Sequence, residues 1–140
     1  MQLVQDIMSK DVQMVLPSTK LVLAAQKMRD HNCGFLVVGD GTDLIGCVTD
    51  RDIVVEGVAR ELKPREKRVE DVMTRHLVIC KPNHKISDAL RLMRDQKVHR
   101  LVAVDGNGNP VGIVSLGDLA ARADLPEDVH ATLRELAHSA

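Results

Sequence analysis

Val4-Gln5-Asp6-Ile7-Met8-Ser9 returns 65 residues later as Val69-Glu70-Asp71-Val72-Met73-Thr74, and that return decides the fold. The same offset carries Pro17 to Pro82, Lys20 to Lys85, Ala24 to Ala89, Met28-Arg29-Asp30 to Met93-Arg94-Asp95 and Asp40-Gly41 to Asp105-Gly106. One further residue then enters, so that Gly46-Cys47-Val48-Thr49-Asp50-Arg51-Asp52 aligns with Gly112-Ile113-Val114-Ser115-Leu116-Gly117-Asp118 at an offset of 66. A repeat too small to bury its own apolar face is completed by its neighbour. Two copies without a third predict a pseudo-symmetric pair packed face to face, with function expected in the cleft between the halves.

Periodicity assigns the elements within each copy. Residues 12–16 and 77–80 are short apolar runs stopped by Pro17 and Pro82, which read as strand ends. Leu21, Ala24, Ala25 and Met28, matched by Ile86, Ala89, Leu90 and Met93, recur at helical spacing and predict two helices whose stripes are core. Ser87 is the expected N-cap of the second helix, and Ser18 or Thr19 of the first. Residues 35–38 and 101–104, then Asp-Gly turns, then residues 45–48 and 111–114 predict two hairpins. Thr49 and Ser115 are placed to cap the helices that follow, from Asp52 to about residue 59 and from Asp118 to about residue 123.

Each copy therefore reads β-α-β-β-α, an α+β fold of two repeats packed sheet to sheet with a C-terminal helix. The expected boundaries are repeat one over residues 1–60, a charged linker over 61–68, repeat two over 69–123 and a helical tail over 124–140. Pro126-Glu127-Asp128 suits a helix start. Val129, Leu133 and Leu136 then share one side of that helix, which must dock on its own module or on a partner subunit; the second is the expectation.

Composition narrows the function classes. Nineteen Lys and Arg against 20 Asp and Glu leave a net charge of −1, so no general basic field draws nucleic acid. No apolar run approaches the ~20 residues of a membrane span, and no secretory signal pattern is visible, so a cytoplasmic location without membrane contact is expected. Cys33, Cys47 and Cys80 are odd in number and widely spaced, which favours reduced thiols. Cys47 and Cys80 fall in strand-like runs as small hydrophobes, whereas Cys33 sits beside His31 at a helix-to-strand junction. The six histidines show no metal-binding spacing, and no metal site is expected. No nucleophile-base arrangement, carboxylate pair or glycine-rich phosphate loop suggests catalysis. With no Trp, no Tyr and only Phe35, any bound aromatic ring must lie between aliphatic side chains, and single-stranded nucleic acid lacks its stacking platform.

The chemistry lies in the two turns Gly46-Cys47-Val48-Thr49-x-x-Asp52 and Gly112-Ile113-Val114-Ser115-x-x-Asp118. A capped helix start offers N–H donors and a positive dipole end to an anion. An aspartate one turn on, beside the hydroxyl, can accept both hydroxyls of a ribose, as acidic residues do in dinucleotide folds. The alternative is that Thr or Ser and Asp are only the two halves of a capping box.

The opening Asp6-Ile7-Met8 and Asp71-Val72-Met73, Met28-Arg29-Asp30 and Met93-Arg94-Asp95, His99-Arg100-Leu101-Val102-Ala103-Val104-Asp105 and the two turns together resemble the cystathionine-β-synthase (CBS) domain, here paired as in a Bateman module over about residues 4–123. The resemblance implies a regulatory module without catalysis and without a tightly bound cofactor. It implies binding of an adenosine-containing ligand, AMP, ADP, ATP or S-adenosylmethionine, in clefts between the repeats of a homodimer with an unknown protein target. Asp52 and Asp118 would hold ribose, with Thr49 and Ser115 beside them. Cys33, Gly34 and Phe35, and Val98, His99 and Arg100, would supply the base-side backbone. His99 and Arg100 would be the phosphate-side cations, Arg being suited by its fork-shaped charge, and Arg51 would be either a third such cation or a solvated helix-start residue. Repeat one carries Gly34 and Phe35 where repeat two carries His99 and Arg100, so unequal sites are expected, with the first turn dependent on the second copy's cations. The competing reading is a ligand-free dimeric interaction module.

Overall fold

The opening turn of each copy closes on its own aspartate. In a computed structural model that describes residues 2–124 and 127–138, apart from the side chains of Glu127 and Asp128, the first turn is the helix α1 (Val4–Ile7) and its repeat a 3-10 turn, Val69–Asp71. Asp6 Oδ2 accepts from the Leu3 amide at 2.7 Å and Asp71 Oδ2 from the Arg68 amide at 2.8 Å, which ties each start to its third residue.

These turns do not pack where the repeat would put them. Residues Gln13–Leu77 form one compact unit, and Met1–Val12 joins Val78–Ala140 in the other. We call them the Thr49 unit and the Ser115 unit. Val69 and Val72 of the second copy are buried in the core of the Thr49 unit with Leu21, Met28, Leu36 and Val48. Val4 and Ile7 of the first copy are buried in the Ser115 unit with Ile86, Met93, Leu101 and Leu119. The two copies have exchanged their opening segments.

In the Thr49 unit, β1 (Met14–Val15) runs parallel to β2 (Phe35–Gly39), which pairs antiparallel with β3 (Leu44–Thr49). Helix α2 (Leu21–Asp30) crosses between β1 and β2. The Ser115 unit repeats this with β4 (Ile79–Cys80), α4 (Ile86–Gln96), β5 (Arg100–Val104) and β6 (Pro110–Ser115). Both expected hairpins form, each with a register shift beside its loop. Asp40 Oδ1 gathers the Thr42 and Asp43 amides, which lower its carboxyl below the ordinary value, and Asp105 Oδ1 gathers those of Asn107 and Asn109. The residue that changes the repeat offset is accommodated in this loop, which runs from Asp40 to Asp43 in the first copy and, one residue longer, from Asp105 to Asn109 in the second.

Three local expectations need correction. Neither α2 nor α4 is capped by a hydroxyl: Lys20 and Lys85 occupy the N-cap positions without a side-chain cap bond, and at α2 the Leu21 and Val22 amides donate instead to the Lys67 and Pro64 carbonyls at 2.9 Å. Ala25 is exposed although its counterpart Leu90 is buried. After β3, the chain makes only one α-helical turn, α3 (Asp50–Asp52), before widening into a π-turn (Ile53–Val58), where Ala59 donates to the Val54 carbonyl at 2.9 Å. Consecutive β-branched residues crowd an α-helical turn; the second copy, with Leu119-Ala120-Ala121, makes the regular helix α5 (Leu116–Arg122).

The tail helix α6 (Glu127–Ala137) docks on its own chain, against the expectation of a partner. Leu133 and Leu136 are buried in the Ser115-unit core beside Leu90, with Val129 packed at its edge. That cover is why Leu90 is buried. Pro126, the expected first-turn proline, lies outside the described residues.

Candidate functional site

Both Gly-x-x-Thr/Ser-x-x-Asp turns fold the same way. The N-cap dihedrals are φ −113° and ψ 164° at Thr49, φ −112° and ψ 164° at Ser115. Thr49 Oγ1 accepts from the Asp52 amide at 3.0 Å, and Asp52 Oδ2 accepts from the Thr49 amide at 2.9 Å. Ser115 and Asp118 exchange the same two bonds at 3.0 and 2.9 Å. These are complete capping boxes.

The boxes correct one expectation: the helix starts are not fields of open donors. In the Thr49 turn the Asp50 amide donates to the Gly34 carbonyl at 3.0 Å and the Arg51 amide to Asp50 Oδ1 at 2.8 Å, so every first-turn amide from Thr49 to Asp52 is engaged. In the Ser115 turn the Leu116 amide donates to the His99 carbonyl at 3.0 Å, leaving Gly117 as the first-turn amide without a partner among the described residues. What each turn still offers is Oδ1 of its half-buried aspartate, which accepts no hydrogen bond among the described residues.

Strand register brings the base-side segments to these turns. Phe35 lies opposite Thr49 and Arg100 opposite Ser115. Cys33, Gly34, Phe35, Thr49, Arg51 and Asp52 thus gather in one unit, and Val98, His99, Arg100, Ser115 and Asp118 in the other. The phosphate-side pair His99 and Arg100 shares a unit with Ser115, not with Thr49. Charge differs accordingly: Asp50 and Asp52 flank the lone Arg51 in one turn, whereas the other sets Arg100 and His99 against Asp118.

Two features escaped the sequence reading. A Cβ on Gly34 would stand 2.6 Å from Asp50 Oδ2, so the glycine makes room for a carboxylate at the mouth of the turn. The copies carry the signal, since Gly34 goes with Asp50 where His99 goes with Leu116. The motif glycines also have a packing reason. Gly46 lies against the Thr74 carbonyl and Gly112 against the Met8 side chain, where the exchanged segments cross β3 and β6. Cys47 and Thr74, like Ser9 and Ile113, donate to each other's carbonyls at 2.9 Å in both directions. Each motif strand is therefore locked by the other copy's opening segment.

Cys80 is buried in the Ser115 core, and desolvation pushes its thiol up to about 11. Cys33 and Cys47 are half-buried. Among the described residues no group of three His, Cys, Asp or Glu is placed to hold a metal ion, and no helix is long and apolar enough to cross a membrane.

Two matched sheets, each ending in a capped Asp turn and locked by the other copy's opening segment, define a tandem CBS-domain protein. The chain belongs to the CBS domain family, whose model matches residues 4–58 and again 69–124. It is 37% identical over 138 residues to the CBS domain-containing protein YhcV of Bacillus subtilis, covering 99% of this chain and 97% of that one. The crystal structure of Hypoxic Response Protein I with two coordinated zinc ions superposes with a TM-score of 0.73 at 33% identity, over 89% of this chain and 100% of that one. The CBS domain pair of protein MJ0100, in complex with 5′-methylthioadenosine and S-adenosyl-L-methionine, superposes with a TM-score of 0.74 at 26% identity, over 85% and 93%.

Proposed function

We propose that this chain is a cytoplasmic regulatory module that senses an adenosine-containing ligand at its two capped turns and has no catalytic step of its own. One observation carries the reading: the duplicated capping box leaves Asp52 and Asp118 Oδ1 open beside the backbone of residues 33–35 and 98–100. A carboxylate oxygen so held accepts a ribose hydroxyl in a charge-assisted bond. The backbone segments read the adenine edge, and Thr49 and Ser115 hold their aspartates in place. The neighbour crystallised with methylthioadenosine and S-adenosylmethionine supports this ligand class.

The turns select different ligands. The carboxylates of Asp50 and Asp52 disfavour phosphate and suit a neutral or cationic adenosine such as S-adenosylmethionine. Arg100 and His99 suit the phosphate of AMP, ADP or ATP. Arg51, between two acids, contributes less.

A second copy is the first partner to receive the signal. Leu23, Val54, Val55 and Val58 are 54, 58, 40 and 61% exposed, and Val22, Val58, Leu62 and Pro64 line a groove of about 590 Å³. Exposed apolar surface of this kind marks an interaction site, and it is also what a ligand-free interaction module would present.

Absorbance separates the two readings. With no Trp or Tyr, the chain is nearly transparent at 280 nm, so retained adenosine ligand dominates its spectrum near 260 nm. The sensor predicts that AMP and S-adenosylmethionine each raise Tm, because ligand that binds the native state stabilises it by mass action. Neither a 260 nm band nor a shift with either compound leaves the interaction module standing instead.

A further inference from the structure

The loop between β4 and α4 uses a different acceptor from its counterpart. In the Thr49 unit, Thr19 Oγ1 accepts from the Leu16 amide at 3.1 Å, and the Thr19 amide donates to the Leu16 carbonyl at 3.1 Å. In the Ser115 unit His84 does this work: its Nδ1 accepts from the Lys81 amide at 3.2 Å, and its amide donates to the Lys81 carbonyl at 3.1 Å. The two residues are repeat equivalents, at the offset of 65.

Both loops are the posts on which the exchanged segments dock. Val69 and Glu70 donate to the Thr19 and Pro17 carbonyls at 2.8 and 3.0 Å; Val4 and Gln5 donate to the His84 and Pro82 carbonyls at 2.8 and 2.9 Å. A hydroxyl remains an acceptor across this pH range. Imidazole Nδ1 accepts only while it is unprotonated, and histidine is the side chain whose charge changes between about pH 5 and 8.

We propose that His84 is a proton-operated latch on the opening segment of the Ser115 unit. With Nδ1 unprotonated it closes the 81–84 loop and presents the carbonyls that hold α1. Protonated, Nδ1 becomes a donor facing the Lys81 N–H, the bond is lost, and the post loosens. The charged groups on its loop and on the elements that follow or dock there are Lys81 and Lys85, Asp6 on α1 and Asp88 on α4, and Asp105 lines a cavity with Lys81, Pro82 and Gln5. Asp6 is held by the Leu3 amide, Asp105 by those of Asn107 and Asn109, and Asp88 lies 3.9 Å from Arg91. The loosened segment leads to Ser9, paired with Ile113, so the strand that ends at Ser115 feels the proton. The Thr49 unit, closed by a hydroxyl, does not.

Amide exchange by NMR on the full chain tests this without any ligand. Titration through the His84 imidazole should lower the protection factors of the Val4 and Gln5 amides by about two- to tenfold, the worth of one ordinary hydrogen bond. Val69 and Glu70, the internal control, should hold theirs. His84→Thr, which installs the acceptor of the other loop, should abolish the response. Equal behaviour of the two segments across the titration, or a response that survives in His84→Thr, overturns the latch.

Discussion

Asp52 and Asp118 divide two duties between two oxygens. Oδ2 holds the backbone of its own turn, and Oδ1 is the atom offered to ribose. Asparagine keeps one acceptor and removes the charge, whereas alanine removes both. Asp52→Ala should therefore cost about 1 kcal/mol of stability through the lost cap, seen as a lower urea midpoint, while Asp52→Asn should leave the midpoint nearly unchanged. At the motif glycines the copies should differ. Gly46→Ala drives a methyl into the Thr74 backbone, but Gly112→Ala meets the flexible Met8 side chain, so the first should lower Tm more. Equal losses would show that the two strand crossings yield alike.

Cys80 gives a pH prediction. Its folded value is raised to about 11 from 9.0 by burial, so the neutral thiol is favoured in the fold. That contribution, about 2 kcal/mol, is fully present below pH 9 and lost as pH rises through about 11. Cys80→Ala should flatten the fall in urea-unfolding stability over that range. A slope unchanged from the parent would remove Cys80 as its source.

Among the elements, the exchanged segments carry the sharpest consequence. Ile7 belongs to the first repeat in sequence but to the Ser115 core in space, and Val72 is its mirror case. Ile7→Ala should cost about 2 to 4 kcal/mol and lower hydrogen-exchange protection in β5 and β6, while Val72→Ala should do so in β2 and β3. Loss of protection in the mutated residue's own repeat would contradict the exchange. This arrangement was not legible from the repeat. Periodicity says that Val4 and Ile7 face a core, but an offset of 65 is satisfied equally by either partner.

The helix stripes show where pattern reading stops. Ile86, Ala89, Leu90 and Met93 are all buried as the spacing predicts, yet Ala25 is exposed because no helix like α6 covers it. The hairpins and the proline-limited strands were readable because Asp-Gly and Pro act locally. The caps of α2 and α4 were not, since backbone carbonyls brought in by the exchange replace the expected hydroxyls around α2. At the turns the pair of hydroxyl and aspartate could be read from sequence. That most of their amides are already spent could not, because the Gly34 and His99 carbonyls arrive from the segments that lead into β2 and β5.

The whole molecule is a duplicated frame whose copies have diverged in charge: Asp50 and Arg51 at one turn stand where Leu116 and Gly117 stand at the other. The frame was evident in the repeat, and the divergence is where the proposed function lies. Isothermal titration calorimetry with S-adenosylmethionine and AMP tests that most directly, using the parent chain, Asp52→Asn and Asp118→Asn. The account predicts heat from both ligands with the parent. Asp52→Asn should weaken S-adenosylmethionine, and Asp118→Asn should weaken AMP, each by about 1 to 3 kcal/mol. Binding by the parent that neither substitution weakens would contradict the assignment of ribose to these turns, and no heat from either ligand would contradict the sensor itself.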